Sequence, residues 1–130
     1  MGEGMRIIGL GTDIVETVRI GRMIEKHGEL FIKRVYTEEE ARYCQDRKQY
    51  LQHFAGRWAA KEAVMKTLGT GWAKGVGWRD IEVVSQSSGA PTIAIHGGAQ
   101  VIADKLGITQ VLITISHCRS YATATAIAIG

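Results

Sequence analysis

The chain has 130 residues, 45% of them hydrophobic, and 16 basic against 13 acidic residues give a formal net charge of +3. This size and composition suit one compact domain over residues 1–130 and exclude a fibrous or disordered chain, and no apolar run approaches the roughly 20 residues of a membrane span. The mild positive charge favours an anionic partner, but the chain lacks the concentrated basic and aromatic residues of a nucleic-acid-binding domain.

The first half of the chain predicts one strand followed by helices. In chain order the expected elements are a strand over 6–13, a helix over 17–26, a short helical turn over 29–35, and helices over 37–48 and 50–68. Gly28 and Gly69 stand where two of these helices should end. Thr37 and Glu40 have the spacing of a capping box, in which each residue satisfies a backbone N–H of the other.

The second half changes to alternating apolar and polar residues, which is typical of strands. After a glycine-rich loop over 69–77, the expected elements are strands over 79–85 and 92–96, a helix over 98–106 that ends at Gly107, and strands over 110–116 and 121–129. Adjacent hairpins in this order predict an α+β fold in which a mainly antiparallel sheet packs against the long central helix.

The first predicted strand ends in a carboxylate. It contains Gly9 and Gly11 and runs into Asp13. Glycines within a strand mark either a close approach of the backbone to a ligand or tight packing against another element. The sequence leaves both interpretations open.

Glu62 is the most informative residue of the long helix. At about 100° per residue it falls on one stripe with apolar side chains: Leu51, Phe54, Ala55, Trp58 and Met65. Burial of a lone carboxylate is costly, so Glu62 should form a salt bridge, act as an acid or base with a raised pKa, or bind a metal ion. Lys66 is the candidate salt-bridge partner or a phosphate ligand. Arg57 and Lys61, on a neighbouring face, could be solvated charges.

A second carboxylate makes the metal interpretation stronger. Hard cations such as Mg²⁺ are held by one or two carboxylates together with substrate phosphates. Asp13 and Glu62, with cations nearby, would form a metal-assisted phosphate site.

At these residues the chain resembles the holo-acyl-carrier-protein synthase type of phosphopantetheinyl transferase. The matching blocks are residues 8–16 (IGLGTDIVE) with Arg19, residues 54–63 (FAGRWAAKEA) with Lys66 and 68–71 (LGTG), residues 78–82 (WRDIE), 89–91 (GAP), and 115–117 (ISH) followed by 121–122 (YA). They extend over almost the whole chain in the family's order. Cys118 departs from the family pattern, in which Thr or Ser is commoner.

The resemblance implies transfer of 4′-phosphopantetheine from coenzyme A to a serine of apo acyl carrier protein, in fatty acid biosynthesis. It implies Asp13 and Glu62 as ligands of Mg²⁺ (or Mn²⁺), Glu62 as the base, and Lys66 as the cation at the transferred phosphoryl group. The implied coenzyme A contacts are Arg57, Lys61, Gly71, Pro91 and His117. A non-catalytic module that binds coenzyme A or the carrier protein is the alternative.

The resemblance also implies how the protein meets its partners. Family members dock the acidic carrier protein on the first helix, here through Arg19, Arg22, Met23 and Lys26. They form homotrimers with each active site between subunits.

Cys44 and Cys118 form no ligand motif, and residues 1–4 do not resemble a signal peptide, so a reduced cytoplasmic protein is expected.

Overall fold

The computed structural model describes residues 4–72 and 75–130. Residues 1–3, in the predicted N-terminal extension, and Ala73 and Lys74, in the predicted loop, lie outside the described residues. In chain order the elements are β1 (Ile7–Glu16), α1 (Thr17–His27), α2 (Glu29–Val35), α3 (Glu38–Gln45), α4 (Tyr50–Leu68), β2 (Ile81–Ser85), β3 (Pro91–Ile95), α5 (Gly97–Leu106), β4 (Gln110–His117) and β5 (Tyr121–Ile129).

The strands form two antiparallel sheets, where the sequence predicted one. One sheet has the order β1-β5-β4 and the other is the β2-β3 hairpin. The first strand of the chain therefore pairs with the last, with Asp13 opposite Ala124. The α+β class and the antiparallel arrangement are confirmed.

Helix α4 is the centre of the molecule. It contacts β1, β4 and β5 on one side and α1, α3, α5 and β2 elsewhere around its circumference. The inner face of β5 is lined by Ala122, Ala124, Ala126 and Ala128, all buried. These small side chains let the helix lie close to the sheet.

The predicted helix ends agree with the structure at the capping residues. Gly69 (φ 75°) and Gly107 (φ 78°) adopt the left-handed conformation after α4 and α5. The capping box of α3 forms, with the Thr37 hydroxyl accepting from the Glu40 N–H and the Glu40 carboxylate accepting from the Thr37 N–H. Residues 29–35 form a full helix, and residues 78–80 form a 3₁₀ turn, which shortens the predicted strand over 79–85.

Within the described residues no helix combines the length and the apolar character that a membrane crossing requires. Both cysteines are free thiols, Cys44 buried and Cys118 exposed.

Candidate active site

Strand β1 lies directly against α4, and its two glycines allow this contact. A Cβ atom on Gly9 would lie 2.6 Å from the Thr67 carbonyl oxygen, and one on Gly11 would overlap the Ala63 carbonyl oxygen. Of the two interpretations of these glycines, the structure shows tight packing.

The same contact brings Asp13 to α4. Gly9 meets Thr67 and Gly11 meets Ala63, so two strand residues (about 6.6 Å) advance the contact by four helix residues, a rise of about 6 Å. Asp13, two residues further along the same face of β1, therefore reaches the turn of α4 that ends at Glu62.

Lys66 pairs with Asp13. Its ammonium nitrogen donates to the Thr12 carbonyl oxygen at 2.7 Å and lies 3.5 Å from Asp13 Oδ1. The Lys66 side chain is 52% exposed and that of Asp13 is 17% exposed. Burial raises the pKa of Asp13 above its ordinary value, and the Lys66 charge partly offsets this effect. The suggested Lys66–Glu62 salt bridge is thus replaced by a Lys66–Asp13 pair.

Glu62 has a neutral partner that the sequence did not predict. The Trp72 indole N–H donates to Glu62 Oε1 at 3.0 Å, and the Glu62 side chain is only partly buried. No basic side chain of residues 4–72 or 75–130 lies within salt-bridge distance of this carboxylate. The structural salt bridge considered from the sequence is therefore not found in that part of the chain.

Asp13 and Glu62 fit a divalent ion through the chemistry of their donors. Both are carboxylates at the junction of β1 and α4, and each is partly open to solvent. In the described part of the chain no group of three or more His, Cys, Asp or Glu side chains is gathered for a metal. Two carboxylates form a partial coordination shell, which Mg²⁺ ordinarily completes with phosphate oxygens and water.

Arg57 is a buried cation in a small pocket. It is 5% exposed, so the solvated-charge interpretation is wrong for this residue. One guanidinium nitrogen donates to the Ser85 hydroxyl at 2.9 Å, and the group lies 3.9 Å from the centre of the Tyr43 ring. Among the described residues Nε has no hydrogen-bond partner. A buried guanidinium with an unsatisfied N–H is suited to bind an anion.

The pocket around Arg57 also contains two other predicted coenzyme A contacts, Pro91 and His117, and has a volume of about 180 Å³. His53, which was not predicted from the sequence, also lines this pocket, and its ring lies 5.0 Å from that of His117. Burial, together with the charges of His117 and Arg57, lowers the pKa of His53. Its spacing of four residues from Arg57, one helical turn, is the signal that would have identified it.

Lys61 is fully buried, which contradicts the prediction of a solvated charge. It forms a salt bridge with Glu40 at 2.7 Å and donates to the carbonyl oxygens of Trp78 and Ile81. Glu40 in turn accepts from the Val83 N–H at 2.8 Å. All three ammonium hydrogens are used within the protein, so this position offers coenzyme A no accessible donor. Lys61 joins α3, α4 and β2.

The remaining predicted contacts lie on the surface. Gly71 is exposed and has a positive φ of 64° in the segment after α4. The predicted docking residues Arg19, Arg22 and Lys26 are exposed on α1, and Met23 is partly buried beside them. Met23, Trp58 and Trp78 line a groove of about 660 Å³. The Arg19 guanidinium lies 5.8 Å from the centre of the Trp58 ring.

Comparison with known proteins gives one family. Residues 9–126 match the family described as the 4′-phosphopantetheinyl transferase superfamily. A holo-[acyl-carrier-protein] synthase of Gloeobacter violaceus is 50% identical over 93% of this chain and 92% of its own length, and one of Chlamydia pneumoniae is 48% identical over 97% and 100%. The crystal structure of the Helicobacter pylori synthase in complex with coenzyme A has a TM-score of 0.81 at 28% identity, covering 92% of this chain and 98% of that one.

Proposed function

Because the chain belongs to the 4′-phosphopantetheinyl transferase superfamily, we propose that it is a holo-[acyl-carrier-protein] synthase. The enzyme transfers 4′-phosphopantetheine from coenzyme A to a serine of apo acyl carrier protein and releases 3′,5′-ADP. Its place is fatty acid biosynthesis in the cytoplasm, as the sequence resemblance implies.

The observation that carries this proposal is the group formed by Asp13, Glu62 and Lys66 where β1 meets α4. Two carboxylates and an exposed ammonium at one junction suit a phosphate ester with a bound divalent ion. Asp13 and Glu62 would hold Mg²⁺ together with the coenzyme A diphosphate. When bound, the ion supplies positive charge that offsets the charge growing on the diphosphate.

The chain's own residues account for the other parts of the reaction. The serine hydroxyl oxygen attacks the β-phosphorus, and the bond from this phosphorus to the oxygen bridging to 3′,5′-ADP breaks. Lys66, whose side chain is half exposed, donates to the phosphoryl oxygens as they gain charge. Glu62 accepts the serine proton, directly or through a water molecule.

The pocket around Arg57 is suited to the nucleotide half of coenzyme A. The Arg57 guanidinium lines this pocket and supplies a phosphate donor, and His117 and His53 add two further ring nitrogens. Pro91 offers an apolar surface for the adenine. The Helicobacter pylori synthase of similar fold was crystallised in complex with coenzyme A, which supports coenzyme A as the substrate.

The carrier protein would dock on α1. Arg19, Arg22 and Lys26 present exposed positive charge, which complements the acidic surface of acyl carrier proteins. The adjoining groove runs from Met23 to Trp58 and Trp78. It offers an apolar path from the docking helix toward the catalytic carboxylates.

A homotrimer would complete the site. Arg57 and Glu62 are five residues apart on α4 and so project about 140° apart around its axis. One coenzyme A would therefore reach both regions most easily between two copies of the chain. The outer face of the β1-β5-β4 sheet carries exposed Leu10, Ile14 and Leu112, at 65%, 66% and 45% exposure, which suits burial against a second copy.

The direct test is mass spectrometry of apo acyl carrier protein incubated with coenzyme A, Mg²⁺ and this protein. We expect a mass gain of one phosphopantetheine that a chelator abolishes and that Mn²⁺ restores. Glu62→Gln and Asp13→Asn should each reduce the rate by about 10²-fold or more, since each removes a charged ligand. The trimer is tested separately by light scattering.

Two outcomes would contradict the proposal. Near-normal transfer by both Glu62→Gln and Asp13→Asn would refute the metal assignment. Tight binding of coenzyme A and carrier protein without any transfer would favour a binding module instead.

A further inference from the structure

The segment that follows α4 turns back over the helix and brings an indole to Glu62. Gly69 ends the helix in the left-handed conformation (φ 75°), and Gly71 has a positive φ of 64°. Trp72 then lies close enough for its Nε1–H to donate to Glu62 Oε1 at 3.0 Å. Ten residues of sequence separate the two partners, so the contact depends on this turn.

Trp72 is held in place by a stack of three tryptophans. Its ring lies 3.8 Å from that of Trp78 at an interplanar angle of 22°, and Trp78 lies 4.2 Å from Trp58 at 27°. Trp58 belongs to α4, and the Trp78 carbonyl oxygen accepts from the buried Lys61 ammonium at 3.2 Å. The stacked rings and the Lys61 hydrogen bond therefore fix the orientation of the Trp72 indole N–H.

The chemistry of the donor matters for Glu62. An indole N–H is a donor only and carries no charge. A Trp72 bond therefore orients the carboxylate without neutralising it, whereas a lysine or arginine would compete with a cation. Glu62 Oε2 receives no hydrogen bond from the described residues, so it remains available to an ion beside Asp13.

From this geometry we infer that Trp72 is a positioning residue for the divalent ion: its indole N–H fixes Glu62 Oε1 and leaves Oε2 free to bind the ion. The inference rests on the proposed function, because it concerns the same Glu62. Partners that orient a ligating carboxylate typically contribute 10- to 100-fold to metal affinity.

The test measures Mn²⁺ binding by electron paramagnetic resonance in the presence of saturating coenzyme A and without carrier protein, so that no turnover occurs. Trp72→Phe keeps an aromatic ring in the stack and removes the donor, and we expect its Mn²⁺ dissociation constant to rise about tenfold or more. In the transfer assay its KM for Mg²⁺ should rise while kcat at saturating Mg²⁺ stays within about threefold, a division that a general loss of structure would not produce.

Trp78→Phe is the matched control, because it alters the same stack and leaves the Trp72 donor in place. Its Mn²⁺ affinity should stay within about threefold of the original. An equal loss of affinity in both variants would overturn the inference, since the stack rather than the N–H would then be responsible.

Glu62→Gln separates this inference from the proposed function. If it abolishes Mn²⁺ binding while Trp72→Phe binds normally, the role of Trp72 is refuted and the metal site stands. If Glu62→Gln binds Mn²⁺ normally, the metal site itself is refuted.

A second measurement needs no substitution at the site during the titration. The chain has three tryptophans, so the Trp72 indole signal is the one that remains in both Trp58→Phe and Trp78→Phe. In ¹⁵N–¹H spectra of the unsubstituted protein with coenzyme A, this signal should shift on addition of Mg²⁺. A Trp72 signal that is indifferent to Mg²⁺ would overturn the inference even if Trp72→Phe fails to fold.

Discussion

Two lysines of α4 pair with carboxylates of other elements in opposite environments. Lys61 and Glu40 lie 2.7 Å apart with both side chains at 0% exposure, whereas Lys66 and Asp13 lie 3.5 Å apart at 52% and 17% exposure. The Lys61 ammonium makes its hydrogen bonds within the protein, whereas the more exposed Lys66–Asp13 pair is accessible to a phosphate. The two residues are of the same type on the same helix. Their positions around the helix therefore determine that Lys61 has a structural role, whereas Lys66 remains accessible to a ligand.

The largest expected effect is on stability, from the buried pair. Lys61→Met leaves the Glu40 carboxylate buried without its counter-charge and should cost about 3–5 kcal/mol in the free energy of unfolding. Urea denaturation followed by circular dichroism measures this. Lys66→Met is the matched control and should cost less than about 1 kcal/mol. Equal losses of stability for the two substitutions would show that the buried and the exposed pair contribute alike to the free energy of unfolding.

The next effect is on activity and reverses the order of the two lysines. Lys66→Met should lower the transfer rate by about 10²–10³-fold while it leaves the unfolding midpoint nearly unchanged, because it removes the donor proposed for the developing phosphate charge. The measurement is the rate of holo acyl carrier protein formation. Retention of more than a tenth of the rate would argue that Lys66 only neutralises Asp13.

A smaller effect follows from the contact that places Asp13. Gly11→Ala forces a methyl group against the Ala63 carbonyl oxygen, which should cost about 1–3 kcal/mol and displace β1 from α4. Thermal unfolding and Mn²⁺ affinity should both report the change.

Gly21→Ala provides the comparison for Gly11→Ala. Gly21 lies within α1, and among the described residues its Cβ would meet only the Leu51 side chain of α4, at 3.4 Å from Cδ1 and 3.8 Å from Cδ2. Alanine has the better helix propensity, so Gly21→Ala should be neutral or stabilising by about 1 kcal/mol or less. Destabilisation by both substitutions would show that the close approach of β1 is not the cause.

The smallest effect concerns a third pair, Glu82 with His96, whose exposures of 52% for His96 and 17% for Glu82 match those of Lys66 and Asp13. Burial alone would raise the pKa of Glu82, but hydrogen bonds from His96 and Thr37 outweigh it and lower the pKa. In acid the folded state then binds fewer protons at Glu82 than the unfolded state does. The contribution of Glu82 to the free energy of unfolding is therefore present above about pH 4.3 and is lost as the pH falls through the lowered pKa.

Glu82→Gln should therefore flatten the loss of stability between about pH 5 and pH 3, by less than about 1 kcal/mol. Melting temperatures recorded across this range test the prediction. If the melting temperature of Glu82→Gln fell with pH as steeply as that of the unsubstituted protein, the hydrogen bonds of Glu82 would not stabilise its charged form.

Much of the fold could be predicted from local patterns. The capping box at Thr37 and the glycines at 28, 69 and 107 act through neighbouring backbone, so their roles are visible in the sequence. The burial of Arg57 and Lys61 could not be predicted, because the apolar stripe of α4 indicates only one buried face of the helix. Helix α4 is covered on most of its circumference, because seven other helices and strands pack against it.

The candidate site shows the same limit. Asp13 and Glu62 were paired only through the family resemblance, since no local rule links residues with 48 others between them. Trp72 was missed because its role depends on two left-handed glycines that return the chain to α4. His53 could have been found, since one helical turn separates it from Arg57.

The pairing of β1 with β5 has a consequence for synthesis of the chain. Residues 7–16 are synthesised before residues 121–129, yet each strand is the hydrogen-bonding partner of the other. The strand that carries Asp13 therefore lacks this partner until residues 121–129 have been made, and pairing between such distant segments is slow. A chain that stopped short of β5 would contain Glu62 and Lys66 without the strand pairing that fixes the position of Asp13.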